Sequence, residues 1–88
     1  MAKDLSHLAE EDQITLVEHD GKIIQFFKNP SHKVQQAALK QNLMSFPLID
    51  NPTAISVDTI KMGIQMGIQK FSKEDLEQVY AKIDEIKL

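Results

Sequence analysis

The chain has 88 residues, of which 42% are hydrophobic and 26% charged, and its formal net charge at pH 7 is -3. These values are typical of one ordinary globular domain and exclude a disordered chain, while the absence of arginine among ten basic residues lowers the expectation of specific DNA reading. The absence of cysteine excludes disulfides, thiol catalysis and cysteine-bound zinc.

The first predicted element is a helix that begins in the acidic run at residues 10–12, because negative charge suits the positive end of a helix dipole. The pair Asp20-Gly21 then allows two interpretations. Residues 14–27 can form a hairpin with a tight Asp-Gly turn. Alternatively, the helix ends at Val17, and Gly21 is the left-handed residue beyond its end. We predict the helix, because Val17 aligns in an internal repeat with Leu39, whose surroundings are rich in helix-forming residues.

The internal repeat is marked by an Asn-Pro pair that occurs twice. Asn29-Pro30 recurs 22 residues later as Asn51-Pro52, and matching residues surround both copies. The residue before a proline avoids the helical region, so each pair ends one element, and Ser31 or Thr53 can cap the next, with Ser56 as a second candidate cap after Pro52. A fixed period of this size is typical of stacked helical units. The predicted units cover about residues 9–29, 30–51 and 52–71, and a capping helix covers residues 72–88.

The second long helix is predicted from Ser31 to Asn42. Its small and apolar residues, among them Val34 and Ala38, share one face, whereas Leu39 points the other way. A helix with apolar residues on two sides suits a position between two neighbours. We also expect Leu39 to be one of the residues that contact a partner.

A third long helix is predicted over residues 56–71, because apolar residues recur at three- or four-residue spacing along one face: Val57, Ile60, Ile64, Ile68 and Phe71. Gly63 and Gly67 form a small-residue pair that favours a close helix crossing. Met62 and Met66 lie on nearly the opposite side. We expect them to pack between the second unit and the last helix, and the alternative is an exposed patch for a partner protein or a second copy of the chain.

The last predicted helix begins after Ser72, which is a good N-cap with Asp75 as its capping-box partner. Its apolar stripe consists of Leu76, Val79, Tyr80, Ile83 and Ile86. The opposite face is fully polar, so this helix is suited to closing the stack.

The segments LVEHDGKIIQFFKNPS, at residues 16–31, and VQQAALKQN, at residues 34–42, resemble the DUF4116-type short helical repeat, an uncharacterised bacterial and viral family. The resemblance covers about residues 12–52. It implies alternating longer and shorter helices, and it implies no activity, because the family has no established catalytic residues. His19 and His32 depart from the family pattern. Pro47 falls inside the second short helix, where we expect it in the first turn.

Nothing in the sequence assembles reactive groups. The three histidines lack zinc-site spacing, and no nucleophile or phosphate-binding loop accompanies the acidic residues near the amino terminus. We therefore expect no enzyme, no cofactor and no metal. No apolar run is long enough to span a membrane, and no signal-peptide pattern follows Met1, so we expect a cytoplasmic protein.

The sequence thus predicts an all-α fold, a short stack of helical repeats with a C-terminal amphipathic capping helix. The predicted function is a non-enzymatic protein-protein interaction module, such as a small phage or mobile-element regulator or inhibitor of a host protein. The alternatives are a nucleic-acid-binding regulator and a structural homo-oligomer, of which a homodimer is the simplest form. The expected contact residues are Leu39, Met62 and Met66 at the centre, with Lys33 and Lys40 at the rim.

Overall fold

A computed structural model of the chain describes residues 4–86. It contains four α-helices and two short 3-10 helices, which we label η1 and η2. In chain order they are α1 (Glu10–His19), η1 (Gly21–Phe26), α2 (His32–Gln41), η2 (Leu43–Leu48), α3 (Ala54–Met66) and α4 (Lys73–Ile86). No strand occurs within the described residues, so the predicted all-α fold is confirmed and the hairpin alternative is wrong.

The bounds of these elements repeat with the 22-residue offset seen in the sequence. The pair α1 and η1 recurs residue for residue as α2 and η2, and α3 begins where a third copy of α1 would begin. Asp20 and Asn42 end the first two helices with φ angles of -153° and -159°, and the side chain of each accepts a backbone N–H two residues later. Asn29 and Asn51 are both left-handed, with φ of 51° and 56°. Residues 22 positions apart therefore occupy equivalent places.

A buried glutamine connects the two Asn-Pro corners. The side chain of Gln35 is 1% exposed, and its Nε2 donates to the carbonyl oxygens of Pro30 at 3.0 Å and Asn51 at 3.3 Å. Its Oε1 accepts from the backbone N–H of Thr53 at 3.0 Å and from the Ser56 hydroxyl at 2.7 Å. This one side chain satisfies polar groups at the end of one unit and at the start of α3, so it fixes the position of α3 against α2.

The core runs along the stack, and α2 lies at its centre, in contact with α1, η1, η2 and α3. The almost fully buried apolar side chains come from every element: Val17, Ile24, Phe27, Val34, Ala38, Leu39, Leu43, Phe46, Ile49, Ile60 and Val79. Helix α4 packs against η2. The predicted capping box holds its start, because Ser72 Oγ accepts from the N–H of Asp75 at 3.0 Å and Asp75 Oδ2 accepts from the N–H of Ser72 at 3.1 Å.

Gly21 has a different role from the predicted one. Helix α1 runs on to His19, and Gly21 begins η1 without a positive φ. Its N–H donates to Oε1 of Gln41 at 2.7 Å, and a Cβ atom at this position would lie 2.6 Å from the backbone oxygen of Ala38. The glycine is therefore required by the close approach of two successive units, because any side chain would collide with the next helix. The prediction that Pro47 lies in the first turn of its helix is also wrong, because Pro47 is the fifth residue of η2.

The third long helix is shorter than predicted at its end and longer at its start. It begins at Ala54, after the Thr53 cap, and ends at Met66, because Gly67 takes a left-handed φ of 67°. The N–H of the next residue, Ile68, bonds to the carbonyl of Gly63 at 3.1 Å, as expected for a helix that ends with a left-handed glycine. The predicted glycine pair at a helix crossing is thus wrong, since a Cβ atom added to Gly67 would meet nothing within 4 Å.

The apolar stripe of α4 is only partly covered. Val79 is fully buried, whereas Tyr80 is 50% exposed, although the sequence placed it on the buried face. Ile83 and Ile86 are partly buried against the core, and Leu76 is also partly buried. The last two residues of the predicted capping helix lie outside the described part of the chain.

Candidate functional site

An apolar groove with a volume of about 500 Å³ lies between α2, α3 and the segment that follows α3. Leu39, Leu43 and Gly63 are buried and form its floor. Gly63 allows the close approach here, because a Cβ atom on it would lie 2.5 Å from Cδ1 of Leu43. The exposed apolar walls are Met62, Met66 and Ile68, with 55%, 67% and 67% of their surfaces open to solvent.

The two methionines are thus exposed, and the expectation that they pack beneath the last helix is wrong. Helix α4 packs against η2 and leaves this side of α3 uncovered. Ile55, 53% exposed, continues the same stripe, because it lies seven residues before Met62 and eleven before Met66. One side of α3 therefore presents apolar side chains to solvent from Ile55 to Met66, with the half-buried Thr59 between Ile55 and Met62.

Leu39 cannot act as an exposed contact residue, because only 1% of its surface is accessible. The sequence placed it on an outward face, but α2 has neighbours on both sides, with α1 on one and α3 on the other. Leu39 nevertheless lines the groove. A bound side chain would reach it only by entering the groove between α2 and α3.

The polar side chains of the groove mostly hold the fold together. Oε1 of Gln69 accepts from the N–H of Leu43 at 3.0 Å, and its Nε2 donates to Oδ1 of Asn42 at 2.9 Å. The first of these bonds reproduces, one unit later, the bond that Gly21 makes to Gln41. Gln69 therefore secures the segment after α3 beside the groove, and with it the exposed Ile68.

Of the two lysines predicted at the rim, Lys40 lines the groove and Lys33 does not. Both are exposed on α2, with Lys33 two turns before Lys40. Among the described residues no carboxylate lines the groove, and Lys40 is its charged lining residue. The structure thus brings together Leu39, Lys40, Met62 and Met66, with Lys33 on the neighbouring surface of the same helix.

Two exposed apolar residues of this surface, Ile55 in the stripe and Ile68 in the groove wall, were not predicted as contact residues from the sequence. Ile55 could have been found from its seven-residue spacing to Met62, had the start of α3 been placed at Ala54. Ile68 could have been found if Gly67 had been recognised as the left-handed residue that ends the helix. Both omissions follow from the misplaced bounds of α3.

Chemical groups elsewhere provide no second candidate. Residues 4–86 contain no group of three His, Asp or Glu side chains that could hold a metal ion. The pKa of Asp4 is lowered, first because its carboxylate accepts the backbone N–H of Ser6 at 2.9 Å and second because of the Ser6 side chain. This interaction belongs to a local turn, and Asp4 does not line the groove.

No family model, curated protein or solved structure matches the chain. The resemblance of residues 12–52 to the DUF4116-type repeat therefore stays a prediction. Across residues 4–86, no helix combines the length and the apolar character needed to cross a membrane.

Proposed function

We propose that this chain is a non-enzymatic protein-interaction module that binds a segment of a partner protein in the groove between α2 and α3. The observation that supports this most is the exposure of Met62, Met66 and Ile68 beside a buried apolar floor. Soluble proteins rarely leave several large apolar side chains together in water unless another molecule covers them. Flexible methionine side chains also adapt well to the surface of a partner.

The shape of the apolar surface favours an elongated occupant. The stripe from Ile55 to Met66 spans twelve residues of α3, which corresponds to about 16 Å along the helix axis. A compact small molecule would fill the groove and leave most of this stripe in water. An amphipathic helix laid along α3 would cover both, as in other complexes where a helix occupies an apolar groove.

The nucleic-acid alternative has less support. Base stacking would need exposed aromatic rings, but Phe46 is completely buried and Phe26 is partly buried. The groove walls are aliphatic and thioether side chains, which cannot stack on bases as aromatic rings do. The exposed lysines alone would give only a weak and salt-sensitive attraction to phosphates.

Site-specific cross-linking in the cell that produces the protein tests the proposal. A photoreactive amino acid would replace Met66 in one variant and Tyr80, which is also exposed but outside the groove, in another. We expect a discrete covalent product with one protein from position 66 and none from position 80. The cross-linked protein can then be identified and purified.

Binding of that purified partner provides the quantitative test. Met66→Asp places a charge on an apolar wall and should weaken binding by about 30-fold or more, the loss typical of a central contact residue. Tyr80→Asp makes the same chemical change at an exposed residue of α4 and should leave the affinity unchanged within about twofold. Equal effects of the two substitutions would contradict the proposed site.

A further inference from the structure

The side chains at equivalent positions of the three stacked helices differ in charge and polarity from one helix to the next. Two positions of each helix, seven residues apart, are exposed on the same side of the stack. The first position is Glu11 in α1, Lys33 in α2 and Ile55 in α3, and the second is Glu18, Lys40 and Met62. The side therefore consists of an acidic ridge (Glu11 and Glu18), a basic ridge (Lys33 and Lys40) and an apolar ridge (Ile55, Met62 and Met66).

The basic ridge lies directly beside the apolar ridge, because α2 packs against α3. Within the described residues, neither of its lysines forms an ion pair. In residues 4–86 the ion pair present joins Lys82 and Glu85, at 3.7 Å, and involves neither ridge. The acidic ridge on α1 thus leaves both Lys33 and Lys40 available to an external carboxylate.

We propose that the occupant of the groove is a helical segment of another protein with carboxylates along one edge of its apolar stripe. This inference rests on the proposed function and specifies the partner. The two lysines lie seven residues apart, about 10 Å along the axis, and so do Ile55 and Met62. A helix lying between the ridges can repeat the same spacing, with its apolar side chains on α3 and its carboxylates towards α2.

A second copy of this chain fits the surface less well. A two-fold axis that lays α3 on the partner's α3, with the two sides overlapping, sets one basic ridge against the other. A two-fold axis that runs along α3 avoids this contact, but it leaves both basic ridges without a partner. Like charges across an interface oppose association. A helix with an acidic edge can instead contact the apolar ridge and pair with the basic ridge at the same time.

Selection from a display library tests the partner's chemistry. The library would consist of helical peptides with randomised stripe and edge positions, and the targets would be the immobilised full chain and its Lys33→Glu/Lys40→Glu variant. We expect the original chain to enrich carboxylates at the edge positions and the variant to enrich lysines. Circular dichroism verifies that the variant is folded, which we expect because both lysines are exposed.

The affinities of the selected peptides measure the effect. A peptide selected on the original chain should bind a Lys33→Gln/Lys40→Gln variant about two- to thirtyfold more weakly, the range expected for two exposed ion pairs. The difference should shrink in high salt. Met66→Asp should abolish binding of the same peptide, whereas Tyr80→Asp should not affect it.

The outcomes separate this inference from the proposed function. If both targets enrich the same uncharged edges and binding still requires Met66, the interaction groove stands and the acid-edged partner is wrong. If no selected peptide depends on Met66, both proposals fail. A chain that sediments as a dimer at micromolar concentration, and as a monomer after Met66→Asp, would assign the groove to a second copy. Binding of an oligothymidylate that is lost in the Lys33→Gln/Lys40→Gln variant would assign the basic ridge to nucleic acid.

Discussion

Replacement of Gln35 by methionine tests how the stack is held together. The change keeps nearly the same side-chain volume but removes the amide that bridges the two Asn-Pro corners. Three of its hydrogen bonds are short: 3.0 Å to Pro30, 3.0 Å from the N–H of Thr53 and 2.7 Å from the Ser56 hydroxyl. Because Gln35 is 1% exposed, water cannot easily replace them.

The expected loss follows from these bonds. At about 1 kcal/mol for each of the three, the Gln35→Met variant should lose about 3 kcal/mol of unfolding free energy. A domain of this size has roughly 4–13 kcal/mol in total, so the loss is a large part of its stability. It corresponds to a decrease in Tm of about 12–24 °C. Urea denaturation followed by circular dichroism measures the free-energy difference.

Gln13 provides a matched control, because it is the residue 22 positions earlier. Its Nε2 donates to the carbonyls of Leu8 at 2.9 Å and Ser6 at 3.3 Å, but the side chain is only partly buried. Gln13→Met should therefore cost about 1 kcal/mol. If Gln35→Met is no more destabilising than Gln13→Met, the buried glutamine does not join the units and this reasoning is refuted.

Two further predictions concern a close contact at Gly21 and the carboxylate of Asp4. Gly21→Ala should lower the unfolding free energy by about 1–3 kcal/mol, because the new Cβ would lie 2.6 Å from the backbone oxygen of Ala38. Gly67→Ala lies in open space at φ 67° and should lower it by only about 1 kcal/mol. Thermal unfolding measures both losses. Equal costs would contradict the close approach. The pKa of Asp4 is lowered because the N–H of Ser6 stabilises its carboxylate. The contribution of Asp4 to stability is therefore present above the ordinary aspartate pKa and is lost as the pH falls through the lowered pKa. Urea titrations of the original chain and Asp4→Asn should therefore differ near neutral pH and converge in strong acid, and a difference that grows in acid would contradict this sign.

The periodic part of the fold could be predicted from the sequence because its signals are local and repeated. The Asn-Pro corners and the Ser31 and Thr53 caps mark where chain elements end and begin, and the structure places the elements there. The role of Gly21 could not be predicted, because an Asp-Gly pair does not reveal that the next unit lies against it. The resemblance to a repeat family and the origin in a mobile element stay predictions.

The site was harder to predict than the fold. The exposure of Met62 and the burial of Leu39 both depend on which neighbour covers each helix, and helical periodicity alone does not contain that information. Helix α4 packs against η2 and leaves Met62 uncovered, and this arrangement is decided by contacts between elements that are distant in the sequence. Lys40 lines the groove together with Met62 and Met66, and its role as a contact residue stays a prediction.

The central claim is that a partner binds along α3 in the groove, and the four methionines allow a direct test by NMR. With ¹³C-labelled methionine methyl groups, the purified partner or a selected peptide would be titrated into the chain. Met62 and Met66 line the groove, whereas Met44, which is partly buried, does not. We predict that the signals of Met62 and Met66 shift in proportion to the bound fraction while that of Met44 stays in place. A titration that shifts Met44 and leaves the two groove methionines unchanged would contradict the account.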